Sequence, residues 1–201
     1  AAVAGIFWLS SDRWRWRGSD LGIALALGVV ACGSMVGGFC YWPVGFWILA
    51  VRPAPNAQTR RNFLLLWSLI SLGVSLGYAL IPPFVRAAPI ELLAQQPWDG
   101  LVYFLSYLGS PVFWGNPQNA WILGGIGTGL LFWTGFLLLR SRTLRFQALI
   151  PYLAWVLYVL GIAALTTVGR LDKGIPQALA SRYVTISISL WIVLLLFLYW
   201  I

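Results

Sequence analysis

Between Asp20 and Arg52 the chain runs for 31 residues without a charged side chain, between Arg61 and Arg86 for 24, and between Asp99 and Arg140 for 40. Two more apolar runs follow, Phe146 to Gly169 and Tyr183 to Ile201. A hydrocarbon core of about 30 Å takes about 17–25 apolar helical residues to cross. These runs therefore predict five spans, or six if the 40-residue run crosses twice, and the opening AAVAGIFWLSS reads as the tail of one more. The expected fold class is all-α: a polytopic, multi-pass helical bundle of about 5–7 transmembrane segments, integral to a bacterial inner or internal membrane. We read 1–201 as one transmembrane domain with spans at 21–51, 62–81, 121–139, 147–168 and 183–201, residues 101–114 open between a half-span and a surface helix, and 1–10 as the further tail. The chain begins without Met and inside an apolar segment, so an upstream portion is expected.

Composition agrees. Hydrophobic residues make up 60% and charged residues 9%, with a mean hydropathy of +0.83, whereas soluble domains carry about a quarter charged residues. The formal charge of +8 sits in short clusters between apolar runs, an arrangement that orients a chain against anionic lipid and not one that reads nucleic acid. Membrane lipids and other membrane subunits are the expected partners. Histidine is absent, which removes the usual axial ligand of haem and the commonest metal ligand and general base. No cofactor, no His-ligated haem or chlorophyll and no metal is expected within this chain. Cys32 and Cys40 lie eight apart in an apolar run and read as inert packing residues, since two thiols alone do not make a zinc site.

The first polar segment, SSDRWRWRGSD, alternates Arg13, Arg15 and Arg17 with Trp14 and Trp16. Indoles favour the membrane interface and arginines can contact phosphate, so these five residues are read as an interfacial anchor. As one helix, 21–51 would be about 46 Å long at 1.5 Å per residue, and tilt, a kink at Pro43 or an overhang must absorb the excess. Within it Gly33, Gly37 and Gly38 present a small-residue surface for helix packing. VRPAPNAQTRR reads as a loop, and the next helix is expected to stop at Pro82-Pro83. A short helix is expected around Ile90 to Gln95, and GSPVFWGNPQNA signals a turn inside the 40-residue run. Beyond it, Gly124, Gly125, Gly127 and Gly129 make the start of a helix thin enough for close approach.

If 101–114 does not cross, Arg52, Arg60 and Arg61 share a side with Arg140, Arg142 and Arg145, and all five acids, Asp12, Asp20, Glu91, Asp99 and Asp172, fall on the other. The positive-inside rule makes the acid-free side cytoplasmic, although lysines and arginines divide almost evenly between the sides.

GRLDKGIPQALASRYVT, Gly169 to Thr185, is the one place where several charges gather beside the apolar runs. With a helix starting near Pro176, Gln177, Ser181, Thr185 and Ser189 would form one polar row. Such a row can be purely structural, with hydroxyls bonding back to the backbone or to a neighbouring helix. Alternatively Arg170, Lys173 and Arg182, with Tyr183, form a cationic pocket for a phosphate or carboxylate, which Asp172 neutralises or orients.

This stretch, with YFLSYLGSPV some way before it, resembles a group of bacterial polytopic membrane proteins carrying a GR…G…QALSSRYTT signature just before the last helix. More distantly, Arg182-Tyr183 at the start of an apolar helix is similar to the RY of membrane glycosyltransferases of the GT-C type, which use polyprenyl-phosphate sugars. The proline-rich continuation of that family does not follow here, and no acidic pair marks a first outer loop. The scarcity of acids and the lack of histidine favour a non-catalytic accessory or structural subunit of a larger membrane assembly; the arginine cluster favours a GT-C-like enzyme or enzyme component. A transporter is the third class, although the sequence carries no internal repeat and no charge in mid-span.

Overall fold

The computed structural model describes residues 1–201 apart from Asp12, Met35, 81–88, 114–115 and 142–145, and leaves out the side chains of Ser34, Val36, Ala79, Pro89, Ile90, Pro117, Ser141 and Arg182. The described residues form nine α-helices and three short 3₁₀ helices, with no strand among them. Three helical stretches, Gln118–Arg140, Phe146–Lys173 and Tyr183–Trp200, are long and apolar enough to cross a membrane. They match the segments expected at 121–139, 147–168 and 183–201. The chain divides into two compact units, Ala1–Phe84 with Gln147–Tyr158, and Val85–Phe146 with Val159–Ile201.

The first unit holds α1 (Ala2–Ser10), α2 (Gly18–Ser34), a 3₁₀ helix (Val36–Cys40), α3 (Tyr41–Val51), α4 (Ala57–Leu80) and the first half of α8 (Phe146–Arg170). The long run expected as one helix over 21–51 is interrupted. Glycine is a poor helix former because it loses the most backbone freedom, and the interruption falls among Gly33, Gly37 and Gly38 and not at Pro43. That proline occupies the first turn of α3, where a missing N–H costs no intrahelical bond. The three glycines therefore share no helical face. Gly33 borders open space, Gly37 is half-buried in the 3₁₀ helix, and a side-chain carbon at Gly38 would collide with the Ala31 carbonyl of α2 and stand 2.6 Å from the Cys32 nitrogen. Gly38 is what lets the chain close back onto α2.

Aromatic rings fill the corner so made. Tyr41 is wholly buried and seats where glycine leaves room: a side-chain carbon would clash with it at Gly5 of α1 and would stand 2.7 Å from its ring at Gly28 of α2. Its hydroxyl donates to the Ala24 carbonyl at 2.9 Å. Trp42 Nε1 donates to Cys32 Sγ at 3.1 Å, and Trp67 of α4, lying against Gly45, donates through Nε1 to the Trp42 carbonyl at 2.9 Å. Ring centroids within this trio are 5.1–5.9 Å apart at 52–68°, in the range where tilted aromatic pairs are favourable.

The second unit holds α5 (Pro89–Gln95), α6 (Pro97–Gly109), α7 (Pro117–Ser141), the second half of α8, 3₁₀ helices at Leu171–Lys173 and Ile175–Leu179, and α9 (Ser181–Trp200). The 40-residue run folds as a helical hairpin of α6 and α7. Pro97 and Asp99 suit the first turn of α6, one needing no N–H and the other facing the positive helix end. At 13 residues, α6 is about 20 Å long, short of a hydrocarbon core of about 30 Å. The two helices meet backbone to backbone. A side-chain carbon on Gly109 would strike the Ala120 carbonyl and stand 2.7 Å from Gly124 nitrogen, and one on Gly124 would strike the Leu105 carbonyl. Of the other glycines expected to thin α7, Gly127 lies under the Trp191 ring, Gly125 touches Leu105, and Gly129 borders open space.

Candidate functional site

In α6 the polar residues Tyr103, Ser106, Tyr107 and Ser110 recur at i, i+3, i+4 and i+7, one face of a helix. All four are 0% exposed. Its far end, Tyr107 and Ser110, meets α9. Ser110 Oγ and Ser187 Oγ lie 3.1 Å apart, and each also reaches a carbonyl of its own segment, Tyr107 at 2.8 Å and Tyr183 at 3.0 Å; with one hydrogen apiece, one hydroxyl donates across and the other donates back. The Tyr107 and Tyr183 rings pack at 5.1 Å and 37°. One turn further along α9, Trp191 Nε1 donates to the Leu108 carbonyl at 2.8 Å. Hydroxyls and one indole thus tie α6 to α9 across 77 to 83 residues of chain.

The row expected on α9 is not the one turned inward. Pro176 begins no α-helix; it sits in the 3₁₀ helix Ile175–Leu179, behind Gly174 with φ +79°, a backbone state glycine adopts without strain. The α-helix starts only at Ser181, and this later start sets the register. Ser181 and Thr185 are exposed, Ser189 bonds back to the Ile186 carbonyl, and Tyr183 and Ser187 face the core instead.

Arg170 ends α8 and is exposed. Asp172 and Lys173 pair with each other at 3.2 Å, their side chains 50% and 57% exposed, and a pair so exposed contributes about 0–1 kcal/mol. Leu171, Ala178 and Leu179 are buried and pin the loop that carries these charges, with contacts to α5, α6 and α7. Tyr183 packs its ring against Tyr107 of the hydroxyl cluster. Arg182 lies in the first turn of α9, and its side chain is outside the described residues, as are Arg142 and Arg145.

At the other end of the chain the expected interfacial anchor is partly folded inward. Trp14 is 4% exposed, with its ring against Trp16 at 6.2 Å and Phe63 of α4 at 6.3 Å. Trp16 has φ +56° and donates to the Pro53 carbonyl at 2.9 Å. Arg13, Arg15 and Arg17 are exposed, and Asp20 accepts from the Arg15 backbone N–H. Arg52, placed by sequence in a basic loop, turns its guanidinium to the end of α1, donating to the Leu9 and Ser11 carbonyls at 2.6 Å each. Those are carbonyls that a helix end leaves without intrahelical partners.

Sequence reasoning missed Tyr103, Ser106, Tyr107, Ser110 and Ser187. The signal was present in YFLSYLGS as a heptad-like polar spacing within an apolar run. Chemically the cluster is a set of hydroxyls, and a serine needs an adjacent base to become a nucleophile. Among the described residues no group of three or more His, Cys, Asp or Glu comes together to hold a metal. No family model, curated protein or solved structure matches the chain.

Proposed function

We propose that the chain is a multi-pass integral membrane protein of about 5–7 spans that serves as a non-catalytic accessory or structural subunit of a larger membrane assembly. The observation that carries this reading is the division of labour on α7 and α9. Thr128 and Thr134 of α7 and Ser187 and Trp191 of α9 are hydrogen-bonded inside the unit, while Phe132, Trp133 and Phe136 of α7 and Ile192, Leu195 and Tyr199 of α9 are 52–84% exposed. Contiguous large apolar side chains are the surface on which partner helices and lipid pack. The test is extraction in mild detergent followed by native mass measurement. A particle well above 22.3 kDa that contains other polypeptides is expected; a lone chain with its lipid overturns the subunit reading.

The second reading is an enzyme component handling a polyprenyl-phosphate-linked substrate, as the likeness to GT-C glycosyltransferases implies. Supporting it is the pinned loop before α9, which keeps Arg170 and Lys173 at one end of the second unit, near the start of the helix that bears Arg182. Under this reading Arg182→Ala and Arg170→Ala each abolish activity or polyprenyl-phosphate co-purification without affecting insertion. Wild-type behaviour of both in a complementation assay ends it. The interruption between α2 and α3 lends some support to a transporter, since broken helices at membrane depth line substrate paths in such proteins.

A further inference from the structure

Between α3 and the first turns of α4 the first unit carries an open groove of about 520 Å³ that two arginines share with an apolar wall. Arg60 and Arg61 form one end, Phe46, Leu64 and Leu65 the wall, and Ser68 the far end; none of the lining residues is acidic. The two arginines belong to the first turns of a 24-residue helix, whose N-terminus adds partial positive charge of its own. From Arg60 to Ser68 the helix rises about 12 Å at 1.5 Å per residue, so the wall runs from a cationic rim toward an apolar interior. Phe46 and Leu65 are 42% and 56% exposed among the described residues.

The arginines have hydrogen-bonding capacity to spare. A guanidinium carries five donors. Arg60 directs one to the Ala50 carbonyl at a long 3.4 Å, and Arg61 directs one to Gln58 Oε1 at 2.8 Å. The forks that remain match the oxygens of a phosphate diester in pairs. A charged rim and an apolar wall a helical turn or two apart are complementary to one class of molecule, an anionic phospholipid with its phosphate at the rim and an acyl chain along Leu64, Leu65 and Phe46.

We propose that this groove is a binding site for one anionic phospholipid, held by Arg60 and Arg61 at the phosphate and by α3 and α4 at the chain. The site rests on the membrane reading above and is independent of whether the chain is a subunit or an enzyme. It uses none of the charged residues before α9.

The experiment is native mass spectrometry of the full chain released from mixed micelles containing equal phosphatidylglycerol and phosphatidylcholine. Wild type retains phosphatidylglycerol in preference, and Arg60→Ala/Arg61→Ala lowers that retention by at least about tenfold, the loss of both charge-assisted forks. Arg60→Lys/Arg61→Lys, which keeps the charge and loses the fork, falls between them. Ser68→Trp fills the groove with both arginines intact and lowers retention as well, so the idea stays testable if the double alanine variant does not fold. Arg140→Ala/Arg142→Ala, an equal loss of two charges at positions 140 and 142, leaves retention unchanged; an equal drop in that variant overturns the site. Displacement of the lipid by inorganic phosphate alone overturns the lipid as occupant in favour of a small anion. Release of the protein from membranes by alkaline carbonate overturns the membrane reading, whereas firm membrane retention with no headgroup preference overturns the groove and leaves that reading standing.

Discussion

In the first unit Tyr41, Trp42 and Trp67 push their rings into space that Gly5, Gly28 and Gly45 leave open, and each hands its one polar hydrogen to a carbonyl or a thiol. In the second, α6 and α7 meet with no side chain between them at Gly109 and Gly124, and short hydroxyls tie α6 to α9. Glycine serves both, to opposite ends. Beside a ring it makes a socket for a bulky neighbour; beside another glycine it removes the neighbour and brings two backbones together. The first arrangement places the stabilising contacts in a few large side chains, and the second spreads them along a helix interface.

The comparison breaks most sharply at Trp67. Trp67→Ala empties the socket over Gly45 and deprives the Trp42 carbonyl of its donor, an expected loss of about 3–5 kcal/mol, read as a fall in the unfolding midpoint of the detergent-solubilised protein. Next comes Gly124→Ala, whose added carbon meets the Leu105 carbonyl, a rigid partner. A cost of about 1–3 kcal/mol is expected, whereas Gly129→Ala, facing open space on the same helix, is neutral or stabilising. If the two glycines respond alike, the backbone contact is not what joins the hairpin. The smallest effect belongs to the hydroxyls: a double-mutant cycle of Ser110→Ala and Ser187→Ala should show a coupling of about 0.6 kcal/mol, the average for polar pairs between membrane helices. A coupling of several times that would move the second unit toward the first, with a few contacts carrying the energy.

Helix class and the outlines of α7, α8 and α9 were legible in the apolar runs because hydrophobic length is a local property. The short helix after Pro89 and the turn before Pro117 were legible for the same reason, through proline and asparagine. The interruption near Gly38 was not, since charge-free length says nothing of where a run folds back, and Pro43 was the louder signal. Nor was the inward face of α9. It follows Gly174 and a 3₁₀ helix, which delay the α-helix from Pro176 to Ser181, and it is Ser187, outside the expected row, that faces inward. Trp14 shows a different limit: a tryptophan between arginines looks like an interfacial residue until α4 supplies Phe63 to cover it.

The clamp of Arg52 on the end of α1 also has a place in time. Leu9 and Arg52 are 43 residues apart, and at about 5–20 residues per second of synthesis the guanidinium is made about 2–9 s after the carbonyl that receives it. During that interval the Leu9 and Ser11 carbonyls must be served by water or headgroups. The end of α1 is therefore fixed in its seat only after the end of α3 has been made.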